Sequence, residues 1–381
     1  MVKEVIYLDN ASTTIPYPEV VKLHQEITTS YFANPSSIHA LGNRANRLLD
    51  LTREEILSLL KLNNHQVLFT SGATESNNLA IKGFALKYQN RGKHLITSAY
   101  EHPSVLEAFK QLEDNFAFEV TYISPNQNGV IEPEEIAKAI RKDTILVSLM
   151  AVNNEIGAIN PIEEIAELLA KYPKLVFHVD ACQAVGKLEK EINYKNVDMI
   201  TLSSHKIQGL IGTGVLLKKK NLELLPLSSG GGQEYNLRSG TNDLAGAVAF
   251  KEALKISLKE EKKHYECVKE LANELIDYLS SKPDLYELNL PSPMNPYIIN
   301  FSTKTKKSSV VVEALSNSNI MVSSTSACHS SKKKGSYVVK SLGKDDNISN
   351  NTVRVSFSYL NKKEDVKCLI DNLNRIIGEI R

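Results

Sequence analysis

The chain has 381 residues, 42% of them hydrophobic, which is enough apolar material for two to three packed domains. Its 45 basic and 44 acidic residues leave a net charge of +1, which argues against a dedicated nucleic-acid binder with a strong basic excess. With 18 Gly, 13 Pro and no run of ~18 apolar residues, the chain is neither collagenous nor expected to meet a membrane.

The start, MVKEVIYLDN, has no apolar stretch before a small-residue cleavage site, so no secretion signal is expected. Cys182, Cys267, Cys328 and Cys368 are far apart and form no CxxC pair, so a reducing, cytoplasmic setting is the expectation. Short runs rich in Val, Ile and Leu follow along the chain. They are Gln66–Thr70, His94–Thr97, Thr144–Leu149, Leu175–Val179, Met199–Leu202 and Gly214–Leu217. Runs of this length and composition predict strands buried on both faces. Helical patterns lie between them at Thr74–Leu86, Pro133–Arg141 and Ile162–Ala170. Such alternation predicts an α/β fold with an open, mostly parallel sheet, and ligands there bind beyond the carboxyl ends of the strands.

The texture changes after about residue 255. Ile256–Ser281 is long, charged and helical in period, and Pro291, Pro293 and Pro296 crowd what reads as a linker. Tyr297–Phe301 and Thr352–Phe357 alternate like strands with one open face. Glu364–Ile380 places Val366, Leu369, Ile370, Leu373, Ile376, Ile377 and Ile380 on one helical face. A smaller α+β domain is expected here, with a polar loop at about 323–336 that holds Cys328 and ends in a lysine run.

Several strand ends carry functional groups. Ser71-Gly72-Ala73-Thr74-Glu75 joins a strand to a helix, where backbone N–H groups suit a phosphate, although on this motif alone a simple N-cap is the better reading. Asp180 lies where its strand runs out, placed either to pair with a protonated ring nitrogen or to cap the next turn. Lys206, between a buried strand and Gly209, is a candidate imine-forming amine, since partial burial raises the nucleophilic fraction. Taken alone, a lysine is more often a solvated charge. His102 is suited to stack on a ring or move a proton, and Arg354 to clamp a carboxylate; a structural histidine and a salt-bridged arginine are the plainer readings. No P-loop or GxGxxG element opens the sheet. An amine, an acid, an anion cradle, a stacking ring and a carboxylate clamp together match the needs of pyridoxal phosphate.

At this point the sequence resembles a known family. YLDNASTT (Tyr7–Thr14), NPSSIH (Asn34–His39), FTSGATESNNLAIKG (Phe69–Gly83) and EHPSVL (Glu101–Leu106) are followed by VNNEIG (Val152–Gly157) and HVDACQAVGK (His178–Lys187). SSHKIQG (Ser203–Gly209), GGGQE with RSGT (Gly230–Thr241) and SSTSACHS (Ser323–Ser330) complete the series. Their order and spacing resemble the cysteine desulfurases, the NifS/IscS-like branch of the class V aminotransferases, over almost the whole chain.

The resemblance implies a homodimer of the fold-type I pyridoxal-phosphate-dependent architecture. Residues 16–255 would form a large cofactor domain around a mainly parallel seven-stranded sheet. Residues 1–15 and 256–381 would form the small domain. Lys206 would carry the cofactor and shuttle protons, His102 would stack on its ring and act as acid and base, and Asp180 would hold its pyridine nitrogen. Gln183 would bond its phenolic oxygen. Ala73, Thr74, Ser203 and His205 would hold its phosphate, with Thr241 reaching in from the partner subunit. Asn154 and Arg354 would orient the carboxylate of L-cysteine, and Cys328 would attack the substrate sulfur, leaving L-alanine and a persulfide.

A sulfur-acceptor protein is the implied partner, serving tRNA thiolation, thiamine synthesis or iron–sulfur cluster assembly. The chain ends at Arg381, before the tail that housekeeping members use to dock an iron–sulfur scaffold, which brings the other two routes level. Thr325 stands where the family often has Gly, and stiffens the expected loop. Cys182 reads as a packing residue. The alternatives are a selenocysteine lyase-like or sulfinate-acting relative, a transaminase with no need of Cys328, and a cofactor-binding scaffold without turnover.

Overall fold

The computed structural model describes residues 5–324 and 335–379. In chain order the strands are β1 (Ile6–Tyr7), β2 (His65–Thr70), β3 (His94–Ser98), β4 (Glu119–Ile123), β5 (Thr144–Met150), β6 (Val176–Asp180), β7 (Met199–Ser203) and β8 (Gly214–Lys219). They continue with β9 (Tyr286–Leu288), β10 (Ile298–Thr303), β11 (Ile320–Met321), β12 (Ser323–Ser324) and β13 (Thr352–Ser356).

Seven of them form one sheet in the order β2-β8-β7-β6-β5-β3-β4. From β7 through β4 all neighbours are parallel. Between β7 and β2, β8 runs antiparallel to both. The ten residues from Ser204 to Thr213 between β7 and β8 are too few for a helical crossover, so the chain turns back on itself there. The central strands β3, β5 and β7 are buried along their whole length, as their continuous apolar runs require. Strand β4 lies at the sheet edge, with Glu119 and Tyr122 exposed, and no apolar run announces it.

A second sheet is antiparallel, in the order β12-β13-β10-β9, and β1 pairs with β11 beside it. Leu8 and Ala11 from the N-terminal segment pack into this second core with Val353, Val355, Leu369 and Leu373. The closing helix, Lys363–Glu379, buries Val366, Leu369, Leu373 and Ile376.

One helix, Leu244–Ser280, serves both cores. It begins well before the expected Ile256, because LAGAVAFKEAL is apolar around most of its circumference and hides the helical period. Ala247, Phe250 and Leu254 join the core under the large sheet, while Val268, Leu271 and Leu275 join the second. Asp243 caps it, accepting from the Gly246 N–H at 2.9 Å. The proline-rich segment is no free linker: the Ser292 N–H donates to the Asn128 carbonyl at 3.0 Å, and the Ile159 N–H to that of Pro293 at 3.3 Å. It lies against the turn that follows β5.

Candidate active site

The carboxyl ends of β2, β5, β6 and β7 open onto one cavity of about 680 Å³. Ala73, Thr74, His102, Asn154, Asp180, Gln183, Ser203, His205, Lys206 and Arg354, all expected from sequence, line it together. Thr241 is exposed and does not line the cavity of its own chain. Cys328 lies outside the described residues, but Ser323, on the strand that leads towards it, is in the cavity wall.

Lys206 follows β7 in a short 3-10 turn. Its Nζ donates to the carbonyls of Ala11 and Ser12, both at 2.6 Å. Burial pulls the amine down to about 8, with Arg354 adding to the effect and Cys182 opposing it. Its neighbour His205 is driven to about 4, by burial first and then by Lys206 and Lys187. The N-terminal segment is therefore the floor of the site. Its contribution is backbone carbonyls, a kind of partner that residue types do not reveal.

Asp180, at the end of β6, accepts from Asn77 Nδ2 at 2.8 Å and from the Cys182 N–H at 3.1 Å. Asn77 also donates to Ser104 Oγ at 2.9 Å, and that hydroxyl meets His102 Nδ1 at 2.9 Å. The Ser104 backbone N–H points at the same Nδ1 at 3.2 Å, so Nδ1 is the acceptor and a neutral ring carries its proton on Nε2. A chain of hydrogen bonds thus joins the carboxylate to the imidazole. Sequence reasoning had no role for Asn77 or Ser104, since a buried amide between two loops leaves no periodic signal. Cys182 is buried, and its thiol is pushed up by burial and by Asp180. That environment makes it inert, as a packing residue should be.

Arg354 rises from β13. Its Nη1 donates to the Asn154 carbonyl at 2.9 Å; Nη2 donates to Asp9 Oδ1 at 2.9 Å and to Ser12 Oγ at 2.7 Å. The salt-bridged reading is what these contacts show, and Nε of the same guanidinium is buried without a partner. Ser203 Oγ, Asn77 Oδ1 and Asn154 Oδ1 are likewise buried and unpartnered. Such groups are costly unless a ligand or solvent completes them. Beside the cradle, Gly214 is required by close approach: a Cβ there would lie 2.5 Å from the Gly72 Cα.

Residues 6–369 match the family model described as aminotransferase class-V. The chain belongs to that family. It is 41% identical to a NifS/IcsS protein homolog of Lactobacillus delbrueckii subsp. bulgaricus over 94% of both chains. It is 36% identical to the cysteine desulfurase IscS of Dictyoglomus turgidum, covering all of this chain and 96% of that one. A solved NifS-like protein superposes with a TM-score of 0.91 at 30% identity, over 99% of this chain and 100% of the other. The fold is the fold-type I architecture of these enzymes, and family members of this kind depend on pyridoxal 5'-phosphate.

The residues present fit that group. A depressed amine, a braced carboxylate and an unpartnered hydroxyl, those of Lys206, Asp180 and Ser203, belong to residues that line one cavity.

Proposed function

We propose that the chain is a pyridoxal-phosphate-dependent cysteine desulfurase that converts L-cysteine to L-alanine and carries the sulfur as a persulfide on Cys328. The observation that carries the reading is Lys206, pulled down to about 8 in the same cavity as Asp180 and Arg354. When bound, the cofactor supplies an electron sink for the pair left by a substrate proton.

Each residue then has a task. Lys206 holds the cofactor covalently and, once released, moves a proton at the substrate's α-carbon. Asp180 keeps a proton on the pyridine nitrogen, and Asn77 holds the carboxylate in place. Gln183 bonds the phenolic oxygen. Ala73, Thr74, Ser203 and His205 hold the phosphate, joined by Thr241 of the partner subunit in a homodimer. His102 stacks on the ring and exchanges protons. Arg354 and Asn154, both in the cavity wall, seat the substrate carboxylate.

The Cys328 thiolate attacks the γ-sulfur. The carbon–sulfur bond breaks, a sulfur–sulfur bond forms, and the carbon skeleton takes up protons to leave as L-alanine. Cys328 is four residues beyond Ser324, a chain reach of at most roughly 14 Å, which supports its access to the cavity. The smaller domain, residues 1–15 and 256–381, carries this segment, and residues 16–255 hold the cofactor. The persulfide passes to an acceptor protein for tRNA thiolation, thiamine synthesis or iron–sulfur cluster assembly.

The test is alanine release from L-cysteine by cofactor-loaded protein with a thiol reductant. Wild type should form alanine and Cys328→Ser should not. Equal alanine from both would sink the nucleophile assignment.

A further inference from the structure

Lys187 is a buried base with no task in the mechanism above. It follows Gln183 by four residues, and the chain between them is a tight turn in which the Lys187 N–H donates to the Ala184 carbonyl at 3.1 Å. Gly186 makes the turn at φ +71°, pressed so close to the long helix that a Cβ would lie 2.8 Å from Ser257 Cβ. Lys187 is 5% exposed. The ionisable groups that interact with it are Lys206, Cys182 and His205, and no carboxylate is among them in the described residues. Burial, then Lys206, pulls it down to about 7, yet as ammonium or amine it still has N–H to donate.

Its Nζ donates to Gln183 Oε1 at 3.2 Å. Gln183 Nε2 donates to the Ala11 carbonyl at 2.9 Å, and that same carbonyl accepts from Lys206 Nζ. The amide is thus fixed from both ends. Turned over, it would set its oxygen against the Ala11 oxygen and its N–H groups against the Lys187 donor. The orientation present leaves the second Nε2 hydrogen for the cavity that Gln183 lines.

We propose that Lys187 is a positioning residue that locks the Gln183 amide so that an N–H, and not the oxygen, faces the phenolic oxygen of the cofactor carried by Lys206. The inference rests on the cofactor seat given under the proposed function. An N–H at the phenolic oxygen draws off negative charge that would otherwise hold the proton on the Lys206 nitrogen. That proton is then lost at lower pH.

The experiment is a pH titration of the visible absorption of cofactor-loaded protein. It compares wild type, Lys187→Met, Gln183→Ala and the double variant. Lys187→Met should raise the midpoint by roughly one pH unit, and the rise should shrink by at least half where Gln183 is already Ala. An unmoved midpoint, or the same rise in both backgrounds, overturns the proposal. Should Lys187→Met fail to fold, Lys187→Gln decides. It is one bond shorter and uncharged, so it loses the hold on Gln183 Oε1; the midpoint should again rise, and an unchanged one overturns the lock. Failure of the wild type to develop a visible band with added cofactor would instead sink the cofactor seat itself.

Discussion

Lys206 sits in a cavity that penalises its charge, and the penalty has a kinetic sign. Its pKa is lowered to about 8, so the nucleophilic amine grows as pH rises and dominates above that value. Cofactor uptake by the cofactor-free protein should therefore speed up by about tenfold per pH unit below 8 and level off above it. Stopped-flow absorbance between pH 6 and 9, as a rough span, would show this, and a flat profile would contradict it. This lysine was marked by the SSHKIQG motif at a strand end, since a lysine taken alone is more often a solvated charge. Its partners were not, because the Ala11 and Ser12 carbonyls belong to a segment about 195 residues away.

At the scale of elements, the parallel strands align side chains from neighbouring strands into rows. Ser148 on β5 meets His178 Nδ1 on β6 at 2.8 Å, and His178 Nε2 meets Thr201 on β7 at 3.0 Å. Burial lowers His178 to about 4, with Asp180 opposing. The unfolded chain takes up the proton near 6.5 and the folded chain near 4, so stability is lost as pH falls between the two. The stability gap between wild type and His178→Gln should narrow by roughly 3 kcal/mol over that window, read by urea unfolding of the cofactor-free protein. A constant gap would mean that the imidazole is charged, or solvated, in the folded state.

The same scale shows which elements announce themselves. Strands buried on both faces did, because Val, Ile and Leu dominate them and no charged residue breaks their runs before the strand end. Edge strand β4 did not. The first turns of Leu244–Ser280 did not either, since helical period vanishes where every side is covered.

On the scale of the whole molecule, the segment from Gly230 to Thr241 turns outward from its own site. Glu234, Tyr235 and Asn236 hold φ of 45°, 59° and 63°, a run of left-handed backbone that side chains resist. Glu234 sustains it from below. Its carboxylate takes Arg53 at 2.8 Å, the Phe69 N–H at 2.9 Å and Asn242 at 2.5 Å. Arg238 adds an ion pair to Glu75, at the start of the cradle helix, at 2.9 Å. This bracing suits the proposed delivery of Thr241 to a second subunit. Co-expressed Lys206→Ala and Thr241→Asp chains should then recover about a quarter of wild-type alanine formation, because half the dimers are mixed and each holds one intact site of two. Recovery no greater than either parent alone would show that Thr241 does not act across subunits.

The sequence by itself determined the class of fold, through the order of its apolar runs, and offered a lysine, an acid and an anion cradle at strand ends as candidates. The series of family motifs gave those candidates their expected roles. Runs and motifs are local properties that survive in one dimension. Tertiary structure alone decided how the groups are held. The carbonyl floor under Lys206, the Asn77 brace on Asp180, the ties of Arg354 to Asp9 and Asn154, and the Lys187 contact with Gln183 are hydrogen bonds, and apart from the last pair they cross long stretches of chain. Burial then sets which of them are costly to leave unmet. Neither distance nor burial is written in residue order, and so neither was readable there.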